Sequence, residues 1–482
     1  MDLNRMPTEV LSLILSHLPY PSSEYDEVEP EPLATARLVC RQWNELASQH
    51  LFRVITLEHG DNAENVQPDG EGDETDEETE TDIFHQWNAQ VDSDLVKRMA
   101  KIAMINSGPL HNMLEGRDYD DWACWEKDDW DEFKHAISRI KELPGIREVY
   151  IRFSEKCQGK ETDESDWHWE DEEVEKGTTR LNTLRHVFVA MREHRERYGG
   201  TGGGGIKRLS IENLANNLLS EWVGSEGFKE GVKGIRELRL NVVQEYTEAG
   251  PDHDLDFAER VTFEPFLQGE LLPRFNMEGL TILDLSFAGC WGVCPGTFDG
   301  KGLVFSNLKR LSLGNFVIAH DDHFDWVLRQ TSLERLYFKC CFVADSLRIS
   351  DEELNKWGVK THDWVKLPEV GHGSRTQGYE YRGRWETVFD RIREELVNLM
   401  DFRFKYWHDY NTPVFDVPEW TDLFEDEERG YDGRRYVSFH SGMIPPWDGE
   451  DSGKEARAKE GDKRAFDELI KVTRERWGSS RR

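Results

Sequence analysis

Two apolar stripes at helical spacing occupy the first fifty residues. The first predicts an amphipathic helix within residues 5–18 and places these side chains on one face: Val10, Leu11, Ile14, Leu15 and Leu18. Pro7 suits the first helical position, and Pro19 ends the pattern. The second stripe predicts one helix from about Leu33 to Ser48, with these residues on its apolar face: Ala36, Val39, Cys40, Trp43 and Ala47.

Beyond residue 140 the chain repeats a short pattern, apolar-x-x-apolar-x-apolar. Seven segments follow it: Ile146-Val149-Ile151, Ile206-Leu209-Ile211, Ile235-Leu238-Leu240, Leu280-Leu283-Leu285, Leu308-Leu311-Leu313, Leu333-Leu336-Phe338 and, more loosely, Val397-Met400-Phe402. Three of the intervals between them lie in the range of about 20–29 residues that is typical of leucine-rich repeats. Helix-like stretches follow at 322–331 and 387–396. Because a strand with its returning helix cannot bury a core alone, we expect the units to stack into an irregular curved solenoid.

The side chains between the inward apolar positions would line the concave face of that solenoid. In the last predicted strand these are Leu399, Asp401 and Arg403. We expect the later repeats to bind an acidic or phosphorylated protein substrate through this set: Arg310, Arg335, Tyr337, Lys339 and Arg403. The alternative is that the basic side chains pair with acids on neighbouring strands, which contributes about 0.2–1 kcal/mol per exposed pair.

Acidic residues dominate the charge of the chain. Its 482 residues carry a net charge of −35, and eleven acidic residues but no basic one fall between Asp61 and Asp82. Such a block cannot bury enough apolar area to offset its ordering entropy, which predicts a disordered linker. The negative field disfavours nucleic acid and anionic lipid as partners. No apolar run approaches the ~18 residues that cross a bilayer. Seven cysteines without a paired CxxC indicate a reducing compartment, cytoplasm and/or nucleus.

No motif supports bond chemistry. The glycine run 199–205 is followed by Ile206 rather than by the lysine of a phosphate loop, so a flexible connector is the better interpretation. The segments His320-Asp321-Asp322-His323 and Trp167-His168-Trp169-Glu170 lack the spacing of a metal-ligand set and are typical of solvated turns. We therefore expect no enzyme activity, no metal and no cofactor.

Together, MPTEVLSLILSHLP and LATARLVCRQWNELASQHLF resemble an F-box, the helical motif that docks on the small SKP adaptor of cullin ubiquitin ligases. The resemblance rests on Pro7, the run Leu38-Val39-Cys40-Arg41, the pair Trp43-Asn44 and the exit Leu51-Phe52, which occur in order. It implies that these residues shape or touch the adaptor surface: Met6, Pro7, Leu11, Ile14, Leu15, Leu38, Val39 and Trp43. One departure is the long connection Pro19 to Pro32, where the family joins its helices tightly. The alternative is a helical subdomain that merely packs on the repeats.

An F-box followed by degenerate leucine-rich repeats is a common arrangement of this family. The predicted α/β organisation is an F-box at 1–58, an acidic disordered linker at 59–90, an irregular leucine-rich-repeat domain with acidic loop insertions at 91–420, and a capping strand, turn and helix at 421–482. The resemblance implies a non-catalytic substrate-recognition adaptor of an SCF-type ubiquitin ligase, with the SKP adaptor, cullin through it, and a protein substrate as partners. The alternative is a scaffold that binds proteins without directing ubiquitylation.

Overall fold

Three short helices open the chain: α1 (Thr8–Ser16), α2 (Pro32–Ala36) and α3 (Arg41–Leu51). The computed structural model describes residues 7–16, 32–57, 83–107, 125, 127–155, 157, 175–200, 204–217, 220–245, 258–275, 277–368, 376–405, 434–443, 446–449 and 453–480. The single helix predicted from Leu33 to Ser48 is wrong, because a turn over residues 37–39 and the extended Cys40 (φ −163°) divide it into α2 and α3. Met6 and most of the connection from Pro19 to Pro32 lie outside the described residues.

A long parallel sheet follows the three helices. Its strands are β1 (Val54–Leu57), β2 (Ile102–Asn106), β3 (Glu148–Arg152), β4 (Arg208–Ala215), β5 (Glu237–Val243), β6 (Ile282–Trp291), β7 (Arg310–Ile318), β8 (Arg335–Lys339) and, after an insertion, β12 (Asp401–Lys405). Each pairs in parallel with the next one named. Six of the seven segments that the repeated pattern singled out therefore lie on strands of one sheet, in sequence order. The seventh is displaced by two residues, because Val397 is exposed and precedes β12, and the register aligns Phe402 and Phe404 with Leu336 and Phe338.

The sheet branches at β7. Its first half pairs with β8, whereas Val317 and Ile318 pair with β9 (Phe342–Ser350). Strand β9 pairs with β11 (Thr376–Tyr381), which pairs with β10 (Trp364–Lys366), both antiparallel. Strand β13 (Tyr436–His440) lies parallel to β9 and carries β14 (Trp447–Asp448). The described part is thus a mixed α/β fold with a sheet that does not close.

Helices cover the side of the sheet that carries the inward leucines, such as Leu209, Leu238 and Leu283, and share one large core with them. They span Ile83–Asp92, Asp94–Met99, Asp131–Ser138, Gly177–Tyr198, Ser220–Gly224, Glu226–Gly231, Ala258–Phe266, Leu272–Arg274, Asp325–Leu328, Asp351–Lys356, Trp385–Glu395 and Lys454–Ser480, with a 3₁₀ turn at Arg139–Glu142 and a π turn at Leu267–Leu271. Among the described residues, none of these helices combines the length and apolarity needed to span a membrane.

The structure bears on the predicted bounds of the acidic linker and of the C-terminal cap. The range 59–90 extends too far as a linker, because the helix Ile83–Asp92 places Trp87 and Val91 in the large core; residues 58–82 lie outside the described part. The C-terminal helix Lys454–Ser480 packs on the helix Trp385–Glu395, where the Phe389 and Phe466 rings are 5.5 Å apart, and on β12. This helix therefore covers β12, the last strand of the parallel array, as a cap would. The predicted capping strand, β13, pairs with β9 instead.

Candidate functional site

The three N-terminal helices enclose a small core of their own. Its buried side chains are Leu11, Leu15, Leu33, Ala36, Leu46 and Ala47, with Trp43 and Leu51 packed at its edge. Hydrogen bonds add to this packing: Ser12 Oγ lies 3.1 Å from His50 Nε2, and Gln42 donates to Thr8 Oγ1 at 3.3 Å. The cluster is separate from the large core under the sheet, so the helices do not bury their apolar faces beneath the sheet.

An apolar surface remains on the outside of this unit. In the described part, seven large apolar side chains are exposed, and five of them belong to these helices: Val10 (44% exposed), Leu13 (60%), Ile14 (43%), Leu38 (86%) and Val39 (58%). Leu38 and Val39 occupy the turn that separates α2 from α3, which directs them away from the small core. A concentration of exposed apolar groups is typical of a surface that another protein covers.

The described members of the predicted adaptor-binding set are four exposed residues, two buried residues and one partly buried residue. Pro7, Ile14, Leu38 and Val39 are exposed and available for contact. Leu11 and Leu15 are 1% and 0% exposed, so they are interior residues that hold α1 against α3 and do not belong to an outer contact surface. Trp43 is partly buried, and its indole N–H has no hydrogen-bond partner in the described part. Val10 and Leu13 are also exposed, but the predicted adaptor-binding set did not include them.

The F-box-like family model matches residues 3–58, which spans this helical unit. The chain carries an F-box-like domain. The match supports an F-box protein, and F-box domains generally bind SKP adaptors. A comparison with curated proteins gave no match.

The F-box continues directly into the sheet. Leu51 packs on the small core and Phe52 on the large one, so the two cores meet at consecutive residues. The Arg37 guanidinium lies over the Phe52 ring, 5.0 Å from its centroid. The Arg53 carbonyl then accepts the backbone N–H groups of Lys101 (2.7 Å) and Ile102 (3.1 Å), which fixes the entry into β1.

The opposite side of the sheet, away from the helices, carries rows of polar side chains. Residues in register across successive strands form the central row: Tyr150, Ser210, Arg239, Asp284, Ser312, Tyr337 and Arg403. The predicted concave set is thus brought together on one face. One position is corrected: Leu399 is buried, and the last strand contributes Asp401, Arg403 and Lys405 instead.

In the first half of this polar face, opposite charges pair across strands. Arg208 lies 3.3 Å from Glu148 and 3.0 Å from Glu237, and Arg152 lies 2.9 Å from Glu212. Burial raises the pKa of Glu148, although Arg208 and Arg239 oppose this. Pairing with neighbouring acids, the alternative considered from the sequence, therefore accounts for this half.

The second half of the polar face has a different charge balance. Strands β6, β7, β8 and β12 contribute two acidic residues, Asp284 and Asp401, and five basic ones: Arg310, Arg335, Lys339, Arg403 and Lys405. Arg310 and Arg335 are register partners on adjacent strands. Burial and then the nearby Arg239 lower the pKa of Arg310 to about 10. Like charges held together in this way favour an anionic partner.

The acids of the second half are held by specific contacts. Tyr337 donates to Asp401 Oδ2 at 3.0 Å, Arg403 Nε contacts the same carboxylate at 3.2 Å, and the Arg403 guanidinium lies over the Tyr337 ring at 5.2 Å. Lys339 approaches Asp284 at 3.6 Å. Two buried hydroxyls of the central row, Ser210 Oγ and Ser312 Oγ, make no hydrogen bond within the described part. Ser210 and Ser312 are 0% and 2% exposed, so these hydroxyls lie out of reach of a ligand on the face.

Proposed function

We propose that this protein is a non-catalytic substrate-recognition adaptor of an SCF-type cullin-RING ubiquitin ligase. The F-box would hold the SKP adaptor, and cullin through it, while the polar face of the sheet would bind a protein substrate. The observation that carries this proposal is the exposed apolar surface of Val10, Leu13, Ile14, Leu38 and Val39 on a unit that has its own core. A cytoplasmic and/or nuclear location fits this role.

We interpret the sheet domain as an irregular leucine-rich-repeat array. Support comes from the six strands that share the apolar-x-x-apolar-x-apolar pattern and pair in parallel in sequence order. Each inward apolar row is buried only by neighbouring units, which is the packing principle of repeat proteins. The antiparallel strands β10 and β11 interrupt this array as an insertion between β9 and β12.

The substrate would be an acidic or phosphorylated segment. The residues proposed for contact are Arg310, Arg335, Tyr337, Lys339 and Arg403, to which the register adds Lys405. Guanidinium groups recognise carboxylates and phosphates through paired hydrogen bonds, which favours the arginines as the main anchors. A substrate held there would meet the ubiquitin-conjugating enzyme at an effective concentration of up to about millimolar, so proximity replaces chemistry by this chain.

The decisive test removes the exposed apolar surface without disturbing the small core. Val39→Asp should abolish co-purification of the SKP adaptor, because the carboxylate would lie unpaired in the apolar interface. Val397→Asp is the matched control, since Val397 is similarly exposed (61% against 58%) but lies outside the F-box, and it should leave adaptor binding unchanged. Adaptor recovery equal to that of the wild type with Val39→Asp would contradict the proposal.

The substrate role requires a separate readout. In a reconstituted ligase, a substrate captured by the sheet should be ubiquitylated by the wild type and not by Val39→Asp. A partner that binds equally well to both proteins and is never ubiquitylated would instead favour the scaffold.

A further inference from the structure

Two histidines and an aspartate meet where the segment after β7 approaches the segment before β10. His320 follows β7, whereas His362 and Asp363 precede Trp364, the first residue of β10. One ligand atom from each of the three side chains lies within 4.8 Å of the other two. His320 is 43 positions from Asp363 in the chain, so the fold, and not a local motif, brings it to His362 and Asp363.

The distances suit one small cation. His320 Nδ1 lies 2.6 Å from Asp363 Oδ1, and His362 Nε2 lies 3.9 Å from the same oxygen. Zinc bonds to nitrogen and carboxylate oxygen are about 2.0–2.2 Å long, so adjacent ligand atoms of a tetrahedral site lie about 3.3–3.5 Å apart. The two observed distances bracket that value. Side-chain adjustments of under about 1 Å would bring both to it, and the exposed His362 has room to move.

Hydrogen bonds hold the aspartate in place. Asp363 Oδ2 accepts the backbone N–H of Asp321 at 2.9 Å, and Asp321 Oδ1 accepts the Tyr381 hydroxyl at 3.1 Å. The Trp364 indole donates to the Ala319 carbonyl at 2.8 Å and stacks on Tyr381. Outer contacts of this kind orient the ligands of metal sites.

The charge around the cluster also favours a cation. The exposed carboxylates of Asp321 and Asp322 add negative charge beside the three side chains. Neutral imidazole and ionised carboxylate are the forms that bind metal.

We propose that His320, His362 and Asp363 form a binding site for a divalent transition metal, with zinc as the best fit and water as the fourth ligand. Two nitrogen ligands and one carboxylate suit zinc better than magnesium or calcium, which prefer oxygen ligands. In the metal-free chain, His320 Nδ1–H donates a hydrogen bond to Asp363 Oδ1 at 2.6 Å. The metal would take the place of that proton, and the neutral ring would then carry its proton on Nε2. The metal would join the end of β7 to the β10–β11 insertion. This site is independent of the adaptor and substrate roles.

The test titrates zinc chloride into the full-length protein after treatment with a chelator. Calorimetry should detect one tight site in the wild type. His362→Ala should weaken this site by more than about tenfold, because loss of a direct ligand costs at least as much as loss of a supporting contact. His135→Ala, which removes an exposed histidine from the helix Asp131–Ser138, is the matched control and should bind as the wild type does.

A second measurement identifies the ligands. Cobalt(II) should give the visible spectrum of a four-coordinate nitrogen and oxygen site, without a thiolate charge-transfer band, and Asp363→Asn should remove it. The asparagine oxygen can still accept the Asp321 N–H, and circular dichroism would verify that both variants fold. Equal zinc affinity in the wild type and His362→Ala, or a thiolate band, would overturn the proposal.

Discussion

Glu264 shows how one buried carboxyl makes stability depend on pH. Its oxygens accept the backbone N–H of Gly292 at 3.1 and 3.3 Å, and burial raises its pKa to about 8. The folded state therefore holds a proton that the unfolded state releases near pH 4.5. The stabilisation from this proton is complete below about pH 4.5 and is lost as the pH rises towards 8.

We predict that Glu264→Gln removes this dependence, because the amide does not ionise. The difference in unfolding free energy between variant and wild type should change by about 1.4 kcal/mol per pH unit between roughly pH 4.5 and 8, in favour of the variant at higher pH. Urea denaturation at several pH values measures it. A difference that stays constant with pH would show that Glu264 does not titrate in this way.

Arg180 is a second buried residue on which the stability of the fold should depend. Its Nε lies 2.8 Å from Glu175, and its other nitrogens donate to the carbonyls of Asn213 (2.5 Å) and Ser154 (2.6 Å), at the ends of β4 and β3. Both side chains of the ion pair are almost fully buried. In the sequence Glu175 follows a stretch rich in acidic residues, and only the folded chain reveals its partner.

Arg180→Met should destabilise the protein by about 3–5 kcal/mol, because it leaves a buried carboxylate without its partner. Arg185→Met, on the same helix, is the control. Arg185 lies 3.6 Å from the exposed Glu221, and such surface pairs contribute about 0–1 kcal/mol. Chemical denaturation of the two variants compares them, and similar losses in both would refute this account.

The surface of α1 shows the limit of sequence reasoning at single residues. The apolar stripe correctly predicted the helix, but Val10 and Ile14 point outwards while the neighbouring Leu11 and Leu15 point inwards. Adjacent helical positions differ by about 100° in direction, so one broad stripe supplies both an interior and an exterior face. Which side of the apolar stripe of α1 becomes the interior face depends on where α2 and α3 pack against it.

At the scale of elements, the sequence predicted those strands whose two faces differ. The repeated pattern identified β3 to β8 because their inward apolar residues alternate with polar ones, and it located β12 with a register displaced by two residues. It missed β2, whose five residues Ile102–Asn106 are all buried and show no alternation. It also missed β9 to β11, because β9 pairs with β13 about 90 residues away, and no local pattern encodes that contact.

The helix Ile83–Asp92 is an element that the acidic block concealed. Its spacing of Phe84, Trp87 and Val91 is helical and could have been recognised. The Trp87 indole donates to the Ala136 carbonyl at 2.9 Å, which ties this helix to the helix Asp131–Ser138. The helix Ile83–Asp92 therefore belongs to the sheet domain.

Trp87→Ala should consequently destabilise the sheet domain by about 3–5 kcal/mol, as expected when a buried tryptophan is removed. Gln86→Ala, an exposed neighbour on the same helix, should have little effect. Thermal or urea unfolding of both variants checks this. If Trp87→Ala were as stable as Gln86→Ala, the helix would not be a part of the core.

At the scale of the whole molecule, the separate cores and surfaces predict separable losses. Arg335→Glu should weaken capture of an acidic substrate by at least tenfold and leave binding of the SKP adaptor unchanged, because it reverses a charge only in the second half of the polar face. Lys366→Glu, an exposed change of equal charge on β10, is the control. Affinity capture followed by mass spectrometry measures both partners. Simultaneous loss of both partners would argue against two independent surfaces.

The direct passage from α3 to β1 has a mechanical consequence. Only Phe52 and Arg53 separate α3 from β1. Leu51 packs on the small core and Phe52 packs on the large core, so the connection is held at both ends. The F-box and the sheet are therefore connected rigidly, without a hinge. If the sheet binds a target, these two residues set the distance and angle at which the target is presented to a protein bound at the F-box. A longer connection would change that orientation without weakening the binding of either partner.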